Sequence, residues 1–154
     1  MNNVTQIRPT IETILGGYFN DRRAGKAGIR RARIDGVEMR LRAYLELEGP
    51  RVLTDGQQVF LATAREFDPV DAFVRVMQAE DLAFALIGFV RQESLADLDD
   101  LDQLAQLRET EYLVAHLVRR RLIDGHDLSC PLLDLQFLLN SGRREIRLRG
   151  RART

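Results

Sequence analysis

Arginine makes up 22 of the 23 basic residues in this sequence, and it is the side chain whose abundance points to a chemical role, the binding of anions. The guanidinium group stays charged and binds phosphate through two hydrogen bonds. Arginines concentrate in an N-terminal basic region (residues 22–42) and a C-terminal basic region (residues 143–154). The candidate nucleic-acid-binding residues are Arg30, Arg33, Arg40, Arg143, Arg144, Arg147, Arg149 and Arg151. GC-rich arginine codons are an alternative explanation of this bias.

The C-terminal basic region alternates apolar and basic residues, as a β-strand does. Ile146 and Leu148 alternate with arginines, so both would face the protein body in an extended segment. We therefore expect a short strand beside residues 51–53, which would hold the first four arginines outward and leave the last two mobile. A basic arm of this kind follows DNA phosphates or enters a minor groove. A solvated tail is the other interpretation.

Few residues in the sequence could catalyse a reaction or bind a metal. The chain has two histidines and one cysteine, and it lacks a glycine-rich phosphate loop, a nucleophile elbow and an HExxH helix. His126 and Cys130 lie four residues apart, but a structural zinc ion usually needs about four ligands and more than one cysteine. We expect Cys130 to be buried and His116 to be packed and hydrogen-bonded on a helix. The sequence therefore predicts no enzyme activity, no cofactor and no metal.

Two further patterns favour structural explanations. The acidic cluster at residues 97–102 lacks the features of a calcium loop, and acidic side chains stabilise the positive end of a helix. A helix-turn-helix can be drawn at residues 57–67 and 69–78. However, Asp68 and Asp71 at its reading end would repel DNA. We expect no DNA-reading helix there.

Helix signals recur along most of the chain. Residues 29–47 place apolar side chains on one helical stripe. Thr54 and Gln57 form a capping-box pattern, and Asp-Pro at 68–69 marks another boundary. Residues 82–90 are apolar on all sides, and their helical neighbours favour helix over strand. We predict an all-α fold, a compact bundle of five to seven helices with at most one small β element at the C-terminus.

The apolar faces of these helices predict the hydrophobic core. Residues 82–90 have no polar face, so most of this run should be buried. The predicted core residues are Leu41, Leu45, Phe60, Phe67, Phe73, Val74, Leu82, Phe84, Leu86, Ile87, Val114, Leu117, Val118, Leu133 and Phe137.

Length and charge are consistent with one domain, residues 1–154, in which residues 1–28 form a loosely attached N-terminal helix and joint. The net charge is +4 in residues 1–51, −8 in residues 52–130 and +4 in residues 131–154, which points to a charged partner. The first residues lack the apolar core of a secretory signal and the longest apolar run is too short to cross a bilayer, so we expect neither a secretory signal nor a membrane span. We expect a cytoplasmic protein that does not enter the membrane.

These features favour two functions over an enzyme. The first is a nucleic-acid-associated protein, DNA-binding or regulatory, whose basic terminal segments contact the phosphates of duplex DNA. The second is a helical interaction module or homodimeric adaptor, since Ile34 and Leu41 repeat at heptad spacing, a pattern that intramolecular packing also explains. Basic regions that meet on one surface would favour the first function, and an exposed apolar stripe the second.

Overall fold

The described part of the chain is built from α-helices. A computed structural model describes residues 8–154. Its helices are α1 (Ile11–Arg23), α2 (Gly28–Glu48), α3 (Asp55–Phe67), α4 (Ala72–Val76), α5 (Ala79–Phe89), α6 (Gln92–Leu95), α7 (Asp100–Arg119) and α8 (Ser129–Ala152), with a 3₁₀ turn (Gly49–Val52) after α2. Across residues 8–154, β pairing is limited to one isolated bridge between Thr10 and Gln78. The all-α prediction is confirmed. Residues 8–154 form eight α-helices and not the expected five to seven, because α4 and α6 are short helices of five and four residues.

Capping signals place the start of α3 where the sequence predicts it, whereas the helix expected from Pro69 is wrong, because Asp68 ends α3 and α4 begins at Ala72. The Thr54 hydroxyl accepts a hydrogen bond from the Gln57 N–H at 3.3 Å, and the Gln57 side chain accepts one from the Thr54 N–H at 3.0 Å. This is the predicted capping box. Asp99 caps α7 by accepting from the Asp102 N–H at 2.8 Å. The acidic cluster is therefore the start of a helix.

Two hydrophobic clusters form the core. The larger cluster lies among α1, α2, α4, α5 and α7, and α1 contributes five buried side chains to it. The smaller cluster joins α7 and α8 and consists of Val90, Leu95, Leu107, Leu135, Leu139 and Ile146. The predicted core residues that are buried or partly buried are Leu41, Leu45, Phe73, Val74, Leu82, Leu86, Ile87, Val114 and Leu117. Residues 1–7 of the expected N-terminal segment lie outside the described residues.

Six residues predicted to be in the core are exposed, so that part of the prediction is wrong. Phe67 is 88% exposed and Phe137 is 70% exposed. The others are Phe60, Phe84, Val118 and Leu133. Helical periodicity identifies an apolar face, but it does not show whether another element covers that face. The α3 apolar face (Val59, Phe60 and Phe67) is open to solvent among residues 8–154, and Leu61 is the one buried side chain of α3.

The C-terminal basic region is the second half of α8, so the expected strand beside residues 51–53 is not formed. In a helix, Ile146 and Leu148 point about 200° apart. Ile146 is therefore buried in the smaller cluster, whereas Leu148 is exposed. Gly142 allows a close approach between helices, because a Cβ atom there would lie 3.0 Å from Leu107 Cδ1. Packing against α7 thus overrides the alternating pattern of the segment.

Candidate anion-binding groove

A groove between the end of α1, the start of α2 and the middle of α7 collects positive charge. Its volume is about 630 Å³. Its cationic lining residues are Arg22, Lys26, Arg30, Arg33, Arg108 and Arg119. The remaining lining residues are Tyr18, Ile34, Glu109, Tyr112 and Ala115. Because one carboxylate faces six cations, this cationic groove is suited to an anionic ligand.

Helix geometry and a glycine turn bring these residues together. Arg108, Tyr112 and Arg119 are separated by four and seven residues, which places them on one face of α7. Gly25 and Gly28 adopt positive φ angles of 72° and 61°, which glycine tolerates without steric cost. This turn lets α2 pack against both α1 and α7. Residues at the start of α2 therefore line the groove opposite α7.

The carboxylate of the groove, Glu109, is buried and already bound by other side chains. Glu109 is 1% exposed. Arg22 donates to both carboxylate oxygens, from Nε at 2.9 Å and from Nη2 at 2.7 Å, and the Tyr18 hydroxyl donates to Oε2 at 3.0 Å. Burial and the adjacent Glu109 carboxylate raise the pKa of Tyr18, so the phenol remains a donor. Arg22 thus offsets the charge of Glu109, and five cations remain for a ligand.

Little other negative charge reaches those five cations. Asp102 lies 3.9 Å from Arg33, with both side chains partly exposed. For the chain from residue 8 onward, the groove cations that make no ion pair are Lys26, Arg30, Arg108 and Arg119. The positive charge of the groove is therefore largely uncompensated within the described fold.

Tyr112 adds a half-exposed aromatic ring to the same groove. The residue is 45% exposed, and the Arg22 guanidinium carbon lies 4.9 Å from its ring centroid. This distance corresponds to a cation–π contact. Since Glu109 holds Arg22 through two hydrogen bonds, Arg22 in turn supports the Tyr112 ring in a fixed position.

The starts of α2 and α8 lack the side-chain caps that stabilise the starts of α1, α3 and α7. Thr10, Thr54 and Asp99 cap α1, α3 and α7 through side-chain hydrogen bonds. In α2, Ala27 occupies the cap position, and the first turn contains no acidic residue but contains Arg30. Unpaired N–H groups and the positive helix end therefore lie beside a basic side chain, which is locally unfavourable. An anion in the groove would relieve this unfavourable arrangement at the start of α2.

The groove includes two of the three candidate residues in the N-terminal basic region. Arg30 and Arg33 line it, and Arg40 lies outside it. Arg40 Nε donates to Gln106 Oε1 at 2.8 Å, and burial lowers the pKa of the Arg40 guanidinium. Arg40 therefore links α2 to α7, and its Nη2 atom is buried without a hydrogen-bond partner among residues 8–154.

The five candidate residues of the C-terminal basic region divide between ion pairs and solvent. Arg143 binds Glu111, and Arg149 binds Asp100 at 3.2 Å and Gln103 at 2.8 Å. These contacts set α8 antiparallel to α7. In the part of the chain that the structure describes, the exposed residues without an ion pair are Arg144, Arg147 and Arg151. Because α2 and α8 both pack on α7, both basic regions lie beside the same helix.

None of the groove residues on α7 is a candidate from the sequence, and those suited to contact a ligand are Arg108, Tyr112 and Arg119. They lie in the acidic middle of the chain, where the net charge gives no sign of a basic surface. Their spacing of four and seven residues is a signal that could have found them. Their acidic neighbours do not cancel the charge, since Glu109 is bound to Arg22 and Glu111 to an arginine of α8.

A second and larger groove, of about 980 Å³, lies between the start of α5 and the loop after α7. Its lining mixes basic and acidic side chains. The charged residues include Arg120, Arg121, Glu80, Asp124 and Asp127. This groove therefore has no clear preference for an anion.

His116 and Cys130 have different surroundings from each other. His116 is partly buried and packs against Tyr18, with the ring centroids 5.3 Å apart, so its expected packing is confirmed. Its ring makes no hydrogen bond within residues 8–154, so the expected hydrogen bond is wrong. Burial, Arg120 and Arg119 lower the pKa of His116, so its ring adds no charge to the groove at neutral pH. Cys130 is exposed, so the expectation that it is buried is wrong. Residues 8–154 contain no group of three or more potential metal ligands.

Comparisons with protein-family models, curated proteins and solved structures found no match to this chain. No helix within residues 8–154 combines the length and apolar character needed to cross a membrane.

Proposed function

We propose that this is a cytoplasmic, non-enzymatic protein that binds nucleic acid through phosphate contacts in the cationic groove. One observation carries this proposal: six cationic side chains surround a groove whose carboxylate is buried and neutralised. Arginine binds phosphate oxygens bidentately, and release of counterions from nucleic acid makes such binding favourable at low salt.

The C-terminal basic region extends this surface in the proposal. Arg144, Arg147 and Arg151 are exposed on α8, which packs on the helix that carries Arg108 and Arg119. In the proposal these α8 arginines contact further phosphates outside the groove. Four or five phosphate contacts in total give a slope of about −4 for log affinity against log salt on duplex DNA.

The test is fluorescence anisotropy with labelled nucleic acid at two salt concentrations. A slope of about −4 means that affinity falls about 250-fold between roughly 50 and 200 mM salt. Arg30→Glu and Arg108→Glu should each lower affinity at least about tenfold at low salt, because each removes a phosphate contact and adds repulsion.

Arg31→Glu is the matched control for Arg30→Glu. Arg31 is exposed, it is adjacent to Arg30 on α2, and it is not part of the groove lining. Both substitutions change the net charge equally. Equal losses of affinity for the two variants would show that overall charge controls binding and would contradict the assignment of the groove as the binding site. Absence of binding to any nucleic acid at low salt would reject the function.

A second function, a protein-interaction module or homodimer, is favoured by the α3 apolar face. Val59, Phe60 and Phe67 are all more than half exposed on one side of this helix. Exposed apolar patches of this kind commonly mark protein interfaces. Sedimentation equilibrium that returns only a 17.6 kDa species at tens of micromolar protein would exclude the homodimer. Association that Phe67→Ser abolishes would instead support it.

A further inference from the structure

We infer that the cationic groove binds a single strand of nucleic acid in preference to a duplex, with one base stacked on Tyr112. This inference rests on the proposed function and specifies its ligand. The features that support it are the size of the groove, the Tyr112 ring and the arrangement of cations on either side of that ring.

The groove has the size of a site for a small ligand or a short stretch of one strand. Its volume of about 630 Å³ falls within the range of roughly 300–1,000 Å³ that small-molecule sites occupy. A duplex presents its bases inward, and it is read by elements that protrude into its grooves. A concave site with an aromatic ring instead suits a strand whose bases are unpaired.

Tyr112 supplies the stacking surface. Its ring is half-exposed in the groove, and Arg22 contacts it at 4.9 Å from the centroid. Arg22 donates two hydrogen bonds to the Glu109 carboxylate, which holds Arg22 in place, and the Tyr18 hydroxyl donates a third to the same carboxylate. Glu109 and Tyr18 are thus positioning residues: they fix the Arg22–Tyr112 pair before a base arrives. Stacking on aromatic rings tolerates any base, so this recognition would depend little on sequence.

Cations lie along α7 on both sides of the ring. Arg108 is about 6 Å along the helix axis before Tyr112, and Arg119 is about 10 Å beyond it. Arg30 and Arg33 line the opposite wall on α2. The span from Arg108 to Arg119 is about 16 Å, which equals about five nucleotides of a stacked strand at roughly 3.4 Å each. A strand in the groove could therefore pair its phosphates with both walls while one base stacks on Tyr112.

The experiment compares Tyr112→Ala with Tyr112→Phe on two probes, a labelled oligothymidylate of about 12 nucleotides and a duplex of the same length. Wild type should bind the single strand more tightly than the duplex at the same salt concentration. Tyr112→Ala should lower single-strand affinity about five- to 100-fold and leave duplex affinity unchanged. Tyr112→Phe should retain single-strand affinity, because the ring remains. Since Tyr112 is half-exposed, both variants should fold, and circular dichroism checks this.

The outcomes separate this inference from the function on which it rests. If Arg30→Glu weakens binding while Tyr112→Ala has no effect, or weakens both probes equally, the groove binds phosphates but the stacking inference is wrong. If neither substitution matters, both proposals fail. Displacement of the oligonucleotide by a free mononucleotide, at concentrations near the dissociation constant of the oligonucleotide, would assign the groove to a small ligand and overturn the preference for a strand.

Discussion

The cationic groove and the C-terminal basic region contain similar numbers of arginines, yet their charges are used differently. In the groove, Arg22 binds a buried carboxylate, and four of the other cations make no ion pair within residues 8–154. On α8, Arg143 and Arg149 bind acidic residues of α7, and Arg153 also reaches Asp100 at 3.2 Å. The C-terminal basic region is the segment with the higher density of arginine, but ion pairs leave fewer of its arginines free than its composition suggests.

This difference shows that a basic surface depends on which acids the fold brings near it. The carboxylates of α7 that face α8 neutralise part of the C-terminal basic region. On the groove side of α7, Glu109 turns inward to the core, and the cations remain free. An arginine-rich segment is thus a poor guide to a ligand site until its neighbouring helices are known.

The largest expected effect is on stability, from Glu109→Ala at the groove. This change removes the carboxylate that accepts from Arg22, whereas the Tyr18 hydroxyl keeps the backbone carbonyl of residue 109 as an acceptor at 3.2 Å. Removing one partner of a buried ion pair costs roughly 3–5 kcal/mol. Because Arg22 is partly exposed, we expect a loss of about 3 kcal/mol in the free energy of unfolding, measured by urea denaturation. Glu111→Ala, which breaks the partly exposed pair with Arg143, should cost about 0–1 kcal/mol. Similar losses for both variants would contradict the distinction between the two regions.

A second stability effect concerns the close packing of α8. In Gly142→Val, the added side chain would meet Leu107, whose Cδ1 atom lies 3.0 Å from the Cβ position of residue 142. We expect this overpacking to cost about 1–3 kcal/mol, measured in the same denaturation experiment. Gly150→Val is the control, because nothing lies within 4 Å of the Cβ position of residue 150. An unchanged midpoint for Gly142→Val would mean that α8 does not need this close contact.

Salt dependence should separate free arginines from paired ones. Arg30→Ala removes a free cation of the groove, so the slope of log affinity against log salt should become less negative by about 0.9 on duplex DNA. Arg149→Ala removes an arginine that already binds Asp100 and Gln103, and it should leave the slope unchanged. The two slopes come from anisotropy titrations at several salt concentrations. A larger change for Arg149→Ala would reverse the comparison.

The smallest expected effect is the pH dependence that arises from His116, next to the groove. Burial and nearby arginines lower the pKa of His116 in the folded state below the ordinary value of 6.5. Below that value the unfolded chain binds a proton more readily than the folded protein does. Stability should therefore decrease as the pH falls from 7 toward 5. The decrease should be smaller in His116→Gln, and an identical pH profile would show that His116 does not contribute.

Local signals in the sequence predict much of the fold. Thr54 and Gln57 form their capping box, and Asp99 begins α7 inside the acidic cluster. These capping interactions join residues that are close together in the chain, so they can be predicted from the sequence alone. Phe67 and Phe137 show where such reasoning stops, because their burial depends on a covering element that local periodicity does not reveal.

The candidate site is less predictable than the fold. Arg30 and Arg33 were identified because they belong to a dense basic segment, whereas Arg108 and Arg119 lie among acidic residues. Only the packing of α2 on α7 brings these two pairs to one groove. The C-terminal alternation predicts a strand, but burial of Ile146 between helices stabilises a helix instead. Both the assembly of the groove and the helical conformation of the C-terminal basic region thus depend on tertiary contacts.

The open face of α3 also has a consequence for motion. Leu61 is the one side chain of this helix that is buried, so a brief local opening of α3 would expose little apolar surface. The free energy of local opening is lowest where few apolar contacts are lost. Such segments exchange their amide hydrogens without global unfolding. The amides of α3 should therefore exchange faster than those of α5, which buries six side chains. The slowest-exchanging amides would then outline the part of the fold that supports the groove.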